Sequence, residues 1–498
     1  MSKRLAFVLS MIFATMFVSI AAADSLDDIR HRGTLRWGGD DSGGGPYIYE
    51  DDHHQLTGFE FELAQYLAGQ LGVKAKFINS EWEMLPQVLD RGEIDIVLNG
   101  YEWSKEREAS WSSTIPYYIY KLQLMARKGD ASIRSWDDLR TKPGKLVGAL
   151  RDSAAERYIG KQFAGSVDLK AYPEIINVMK LVEQGRLDAT VQDVPVAVFY
   201  GHDFPGLHNV GEPVSPGYYV AFVRHGDDRL KLKLNEALLK AIKDGTLKRI
   251  YEKYGLWNDE QNRLADIAQN WPPAVAAESS RWTSFPYYVW LLLLAAWVTI
   301  KLSFLSMPLA IAIGLLVAIG RLYGPRWLNV PLEAYVEFLR GTPLLLQLFV
   351  IYYVLPKYIG IAIPEFWAGV IGLGINYSAY EAENYRAGLL AIPRGQMEAA
   401  LSLGMRTRTA LRRVIVPQAM RIVIPPVTND FIALFKDTSV CTMISVVELT
   451  GMYRKLFNDH PQMMLQFGAI TALLYLVMSY PLSRAARRME TKFKKPAA

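Results

Sequence analysis

From Tyr287 to the C-terminus the sequence is built of long apolar runs separated by short basic loops, more continuous apolar surface than a water-soluble fold can bury. The runs are Leu305–Leu322, Ala334–Leu355, Phe366–Leu390, Val423–Val446 and Met464–Ser483. At 1.5 Å per helical residue, about 20 residues cross a hydrocarbon core of about 30 Å. Five spans are therefore expected, beginning near Ser303. The shorter run Tyr287–Ile300 reads as an interfacial lead-in rather than a sixth.

Charge divides the chain at the same place. Residues 281–498 hold 22 Lys+Arg against 11 Asp+Glu, a net of +11, whereas the preceding 280 hold 33 against 39, a net of −6. The mild overall charge of +5 averages two solvents and argues against a nucleic-acid partner. Hydrophobic residues at 51% exclude a disordered chain, and the lone Cys441 excludes a disulfide framework or a cysteine-built zinc site. Cations concentrate in alternate loops: Arg321 and Arg326 after span one, six arginines from Arg394 to Arg421 after span three, and six cations in the tail. The other loops hold only Lys357, Arg454 and Lys455. The positive-inside rule then sets the first half outside and the C-terminus in the cytoplasm, which an odd number of spans satisfies.

The first residues fit export. Lys3 and Arg4 precede the apolar run Leu5–Ala22, and Ala21-Ala22-Ala23 offers a small-residue cleavage site, so residues 1–23 read as a signal peptide, with an uncleaved anchor as the alternative. Strands and helices then alternate. Leu35–Gly39 reads as a strand; Phe59, Leu63, Leu67 and Leu71 mark a helix closed by Gly72. The strand Val73–Ile78, the helix Met84–Arg91 and the strand Ile94–Leu98 follow. A second set runs from the strand Lys145–Leu150 through helices at 154–163 and 175–184 to the strand at 188–191. Such alternation predicts two parallel α/β lobes with ligand groups at the carboxyl ends of strands.

Four places there carry usable chemistry. Arg107, beyond the strand Ile94–Leu98, can hold a carboxylate bidentately. Asp152-Ser153-Ala154-Ala155-Glu156 has capping-box spacing and opens a helix whose free N–H groups suit an anion. Asp193 follows a strand and suits an ammonium group; Asp40 and Tyr47 lie on the first loop. Singly, an arginine is ordinary surface and a capping box an ordinary helix start. Together, a cation, an anion-receptive helix end and a carboxylate at successive strand ends suit a zwitterion.

At these residues the chain resembles the periplasmic binding proteins for polar amino acids. The likeness runs from about Leu35 to Gly255 through Gly58-Phe59-Glu60, Glu93-Ile94-Asp95, Ser104–Arg107, Pro116-Tyr117-Tyr118, Trp136–Leu139 and Gly185–Ala189. It implies a Venus-flytrap domain over 24–260, with Arg107 on the ligand α-carboxylate and Asp193 on its α-ammonium. Asp152 and Ser153 would add helix-end contacts to the carboxylate, and Asp40, Tyr47, Gly100, Glu102 and Ser104 would complete the ligand site. Two features depart from that pattern. Gly43-Gly44-Gly45 replaces a frequent aromatic, and Glu102 stands where a small hydroxyl residue is usual. A carboxylate there either attracts a basic ligand and repels an acidic one or turns outward.

Beyond an expected linker at 261–286, the loop 392–417 of the membrane half (287–498) is the most informative segment. It reads as a short helix (about Gln396–Leu403), a glycine break, a basic helix (Arg406–Val414) and a proline ahead of the next span. A basic loop on anionic lipid is the plain alternative. However, Glu398-Ala399-Ala400, then Gly404 and Pro417, resembles the coupling loop of ABC importer permeases. Glu337–Pro343, Glu383 with Arg386, and Lys436–Ser439 are similar to the branch serving polar amino acids. That resemblance implies an all-α type I permease whose Glu398, Ala399, Ala400, Gly404 and Pro417 meet a separate ATPase. Glu381, Glu383 and Arg386 on span three either line a translocation path or lock two helices.

The expectation is a substrate-binding domain fused to a permease of the bacterial inner membrane, taking up a polar amino acid. It would work as a homodimer with two copies of an ABC ATPase. The chain has no phosphate-binding GxxxxGK[ST] loop, so ATP and Mg are expected on the partner and no cofactor on this chain. An amino-acid-gated channel would not need the 392–417 loop, and a periplasmic dehydratase would need an acid–base pair that Arg107 and Asp193 do not make.

Overall fold

The structure, a computed structural model, describes residues 25–42, 44–272, 285–359 and 363–493. The expected signal peptide and Gly43 lie outside the described residues. The expected linker begins in helix, with a 3-10 turn Asp259–Arg263 and the helix Leu264–Gln269, and its residues 273–284 also lie outside. Described residues fall into two compact units. The first draws on Met1–Gln123, Asp193–Pro205 and Glu212–Val275, the second on Leu124–Gln192, Gly206–Gly211 and Ala276–Ala498.

The first unit is built on a five-stranded sheet. Its strands are β1 (Thr34–Gly39), β2 (Lys74–Asn79), β3 (Ile96–Val97), β4 (Ser112–Ser113) and β10 (Phe222–Val223), in the order β2-β1-β3-β10-β4. β1 is parallel to β2 and β3, as the strand–helix alternation predicts, and β10 returns antiparallel to β3 and β4. A short strand returning late in the chain can close the sheet without a crossover helix. Helix α1 (Phe59–Leu71) buries Phe59, Leu63, Leu67 and Leu71, and Gly72 caps it with its N–H on Ala68 O. Apolar spacing thus set the helix and its buried face together.

The second sheet holds β5 (Tyr118–Arg127), β6 (Lys145–Leu150), β7 (Val167–Tyr172), β8 (Ala189–Asp193) and β9 (Leu207–Tyr219), in the order β9-β5-β8-β6-β7. β6 pairs in parallel with β7 from Lys145↔Val167 to Leu150↔Tyr172, and with β8. Helices α2 (Ala154–Gln162) and α3 (Ile175–Glu183) connect these strands. α4 (Val194–Tyr200) follows β8 directly, Asp193 standing at its N-cap.

The membrane half is helical. α5 (Phe285–Tyr323) is one unbroken helix of 39 residues, so Tyr287–Ile300 is its first part and not a separate lead-in. At about 1.5 Å per residue it is longer than a bilayer core is thick. The expected second span is broken. α6 (Arg326–Gly341) ends at Thr342-Pro343, and the helix resumes over Leu344–Val354 after a 109° bend. Pro343 lacks an N–H and holds Thr342 extended, at φ −117° and ψ 145°. α7 (Glu365–Leu390) packs on α5, α6 and α9 (Val416–Asp437). Between them lies α8 (Arg394–Ser402); α10 (Leu449–Asp459) and α11 (Met464–Phe493) complete the set.

Among the described residues, α5 and Met464–Arg488 are long and apolar enough to cross a membrane, and the bent pair makes a third. α7 and α9, the other two expected spans, carry polar groups such as Asn376, Glu381, Glu383 and Asp430. Packing between helices, rather than lipid contact, accommodates such residues. The proline ahead of the next span does not interrupt the helix. The chain is helical from Thr407, passes through a π-turn at Leu411–Ile415 and continues into α9. A π-turn shifts the hydrogen-bond ladder by one residue, which accommodates a proline that cannot donate to it.

Candidate ligand-binding site

In the first unit, the segment after β3 turns sharply. Asn99 and Gly100 both have left-handed φ values, +96° and +63°. A Cβ on Gly100 would lie 2.7 Å from the Tyr47 ring, so the turn requires glycine by conformation and by contact. The turn delivers Tyr101 and Glu102, and Ser104 then caps the short helix Lys105–Glu108 by accepting the Arg107 N–H at 3.2 Å.

Arg107 is 5% exposed. Its guanidinium lies 4.4 Å from the Tyr101 ring centre and 5.3 Å from that of Trp82, and its Nη1 donates to Glu102 O at 2.8 Å and Glu102 Oε2 at 3.1 Å. Two aromatic faces and a carboxylate thus hold the cation in a low-dielectric setting, where charge interactions strengthen. Glu102, 2% exposed, turns inward onto Arg107; the outward alternative is not realised.

The backbone of Glu102 bridges that of Tyr219, whose side chain continues the network. The Tyr219 hydroxyl donates to Asp193 Oδ2 and shares a 2.8 Å hydrogen bond with the Tyr47 hydroxyl. Burial, with the Asp193 charge next in weight, holds both phenols protonated, well above their ordinary titration range. The fold therefore gathers Arg107, Glu102, Tyr47, Gly100 and Asp193 into one network. Asp40 serves the neighbouring loop, its carboxylate accepting the backbone N–H groups of Ser42 and Trp82, both at 2.9 Å.

Sequence reasoning missed Tyr219, Tyr101, Trp82 and Glu60. Glu60 is fully buried and accepts from the Asn99 N–H, from the Gly100 N–H at 2.8 Å and from the Tyr117 hydroxyl at 2.7 Å. It braces the turn that carries Glu102 and Arg107. The Gly58-Phe59-Glu60 motif was its only sequence signal. Burial pushes its carboxyl up to about 7 against these three donors. Because folding raises this pKa, the neutral form is favoured. The stability it adds is full below about pH 4.5 and is lost as pH rises through about 7, a swing of about 3 kcal/mol. Urea titrations at pH 5 and pH 8 should show most of that swing in the wild type and not in Glu60→Gln. The same swing in the variant would reject the assignment.

In the second unit, Ser153 caps α2 by accepting the Glu156 N–H at 3.2 Å and itself donates to Leu150 O at 2.7 Å. Glu156 Oε2 accepts the Asp152 N–H at 2.7 Å, closing a capping box one residue wider than usual. Asp152 sits at φ +59° and accepts from Asn458 Nδ2 at 2.9 Å. This turn is thus held from its own helix and from the membrane half.

On α7, Glu381 is fully buried against Gly314 of α5. Glu383 accepts from Arg321 of α5 at 3.0 Å and from Arg386 Nε at 3.1 Å, tying α5 to α7 as a helix lock does. In the loop, Glu398 and Ala399 face solvent on α8 while Ala400 is buried, and Pro417 lies in the first turn of α9.

Residues 35–256 match the bacterial extracellular solute-binding proteins, family 3, and residues 310–495 match the binding-protein-dependent transport system inner membrane component. Curated relatives align with the membrane half. The probable amino-acid ABC transporter permease protein y4tG of Sinorhizobium fredii is 36% identical over 205 residues, 41% of this chain and 88% of the relative. The L-cystine transport system permease protein TcyB of Bacillus subtilis is 36% identical over 39% of this chain and 82% of its own length. The glutamine transport system permease protein GlnP of Escherichia coli is 34% identical over 43% and 97%. Among solved structures, an ancestral arginine-binding protein bound to arginine is 34% identical, with a TM-score of 0.42 over 45% of this chain and 98% of that chain.

Proposed function

The chain belongs to the permeases of amino-acid ABC transporters and carries a family 3 solute-binding domain ahead of the permease, and on that premise we propose that it is the receptor and pore of an ATP-driven amino-acid importer. The observation that carries this reading is the pairing of the two halves in one chain with a buried Arg107 linked, through Glu102 and Tyr219, to Asp193. A cation and a carboxylate in one network suit the two charges of an amino acid. The relatives named for cystine and glutamine support a polar substrate.

In this reading the solute-binding domain faces the periplasm and the C-terminus the cytoplasm of the inner membrane. Two copies of the permease form the pore, and two copies of a separate ABC ATPase bind ATP and Mg and dock on α8. Arg107 takes the ligand α-carboxylate, Asp193 its α-ammonium, and the Asp152-Ser153 turn the remaining carboxylate contacts. Glu381 contributes to the translocation path, while Glu383 and Arg386 hold its wall. Proteoliposomes containing the chain and its ATPase should accumulate radiolabelled amino acid only with ATP. Equal accumulation without ATP would favour a channel and reject the importer.

Glu102 refines the substrate. When an α-carboxylate takes the Arg107 guanidinium, Glu102 loses its cation and is left as a buried anion seeking another. A basic side chain on the ligand supplies one. Charge-assisted hydrogen bonds contribute roughly 1.5–3 kcal/mol, so Glu102→Gln should weaken arginine or lysine relative to glutamine by roughly 10-fold or more. Competition against bound radiolabelled arginine reads the ratio, and an unaltered preference would reject a selecting role for Glu102.

A further inference from the structure

The second unit contains a set of contacts that ordinary docking does not require. Arg151, Asp152 and Glu156, which form or brace the turn assigned above to the ligand carboxylate, all bond to the membrane half. Arg151 Nη2 donates to Thr442 O at 3.2 Å, Asn458 Nδ2 donates to Asp152 Oδ2 at 2.9 Å, and Lys455 Nζ pairs with Glu156 Oε1. Asp152, Glu156 and Asn458 are buried, so these bonds are shielded from the solvent that weakens surface ion pairs. Glu156 joins the two sides in one group, since its other oxygen accepts the Asp152 N–H at 2.7 Å. A displacement of α10, which carries Lys455 and Asn458, therefore acts on the backbone of Asp152 through one side chain.

Other contacts of the same face do not touch the turn. Lys170 pairs with Glu365 at 2.7 Å, and Arg186 donates to Tyr352 O at 2.7 Å with its guanidinium 4.5 Å from the Tyr352 ring centre. These anchor the lobe, whereas the Lys455 and Asn458 contacts reach the ligand groups themselves.

We propose that Lys455 and Asn458 of the permease are positioning residues for the receptor's own ligand-binding turn, so that α10 and the bound amino acid sense each other through Glu156 and Asp152. The inference rests on the reading that Asp152 and Ser153 contact an amino acid. Its consequence is reciprocal: whatever rearranges α10 changes receptor affinity, and ligand binding biases α10 by the same factor.

The test uses the full chain in lipid nanodiscs and the binding of tritiated L-arginine and L-glutamine. Lys455→Met and Asn458→Ala should each lower the affinity about 10-fold, Lys455→Arg should restore most of it, and Lys170→Met, which removes the pairs with Glu365 and Asp168 but no contact of the turn, should leave it unchanged. Equal losses in the Lys455 and Lys170 variants would overturn the inference in favour of simple docking. Unchanged affinity in both Lys455→Met and Asn458→Ala would overturn it outright while leaving the importer reading standing. A wild-type chain that binds neither amino acid would overturn the substrate reading and the inference with it.

Discussion

Arg107→Ala is expected to lower the affinity of the full chain for its amino acid by at least about 100-fold. The guanidinium is buried, faces two aromatic rings and holds Glu102 Oε2 at 3.1 Å, so its removal acts twice. The ligand carboxylate loses a bidentate partner, at roughly 1.5–3 kcal/mol for each charge-assisted bond. Glu102 is then left as a buried anion beside the incoming carboxylate, and like charges at short range repel. Arg107→Lys should recover only part of the loss, because a point charge on a flexible stem does not reproduce the planar fork. Calorimetry on the wild type and both variants measures the effect. An Arg107→Ala affinity within about threefold of the wild type would remove Arg107 from the site.

Local signals carried the sequence reading furthest. The buried face of α1, the capping spacing from Ser153 to Glu156 and the limits of β6 were legible because each depends on residues within a few positions. Arg107 was legible from its place after a strand. What escaped was long-range. Tyr219 joins Tyr47 across 172 positions and Asp193 across 26, and its strand β9 contains Pro216 and Gly217, which read as a turn. The long strand β5 was unreadable for a related reason, since eight of its ten residues are buried and show no alternation. The Lys455–Glu156 pair spans 299 residues and has no local signature at all. The bend at Thr342-Pro343 is a different case. Its proline was in view, but hydropathy averages over a window and cannot register a change of direction.

Substitutions in α8 are expected to separate ligand binding from ATP turnover. Two residues past the end of α8, Gly404 has a left-handed φ of +79° that lets its N–H reach Leu401 O at 2.9 Å, and the chain re-enters helix at Thr407. This short helix exposes apolar surface, with Leu401 43% and Leu403 80% exposed, beside Glu398 and Ala399. On the importer reading that surface is the ATPase contact, small residues admitting the partner closely and Glu398 setting its charge. Gly404→Leu then does two things. It forces an L-residue into a left-handed conformation at a cost of about 1–2 kcal/mol, and it places a bulky group where the partner must approach. Glu398→Arg reverses the charge without disturbing the helix, so a loss shared by both variants cannot come from backbone strain alone. Each should reduce amino-acid-stimulated ATP hydrolysis by the chain and its ATPase in proteoliposomes at least about 10-fold, a loss of about 1.4 kcal/mol in coupling. Receptor affinity for the amino acid should stay within about twofold, because neither Glu398 nor Gly404 is among the contacts that hold Arg107, Glu102, Asp193 or the Asp152-Ser153 turn. Undiminished stimulation in both variants would mean that α8 is an ordinary basic loop on the membrane surface, and that the ATPase acts on this chain elsewhere.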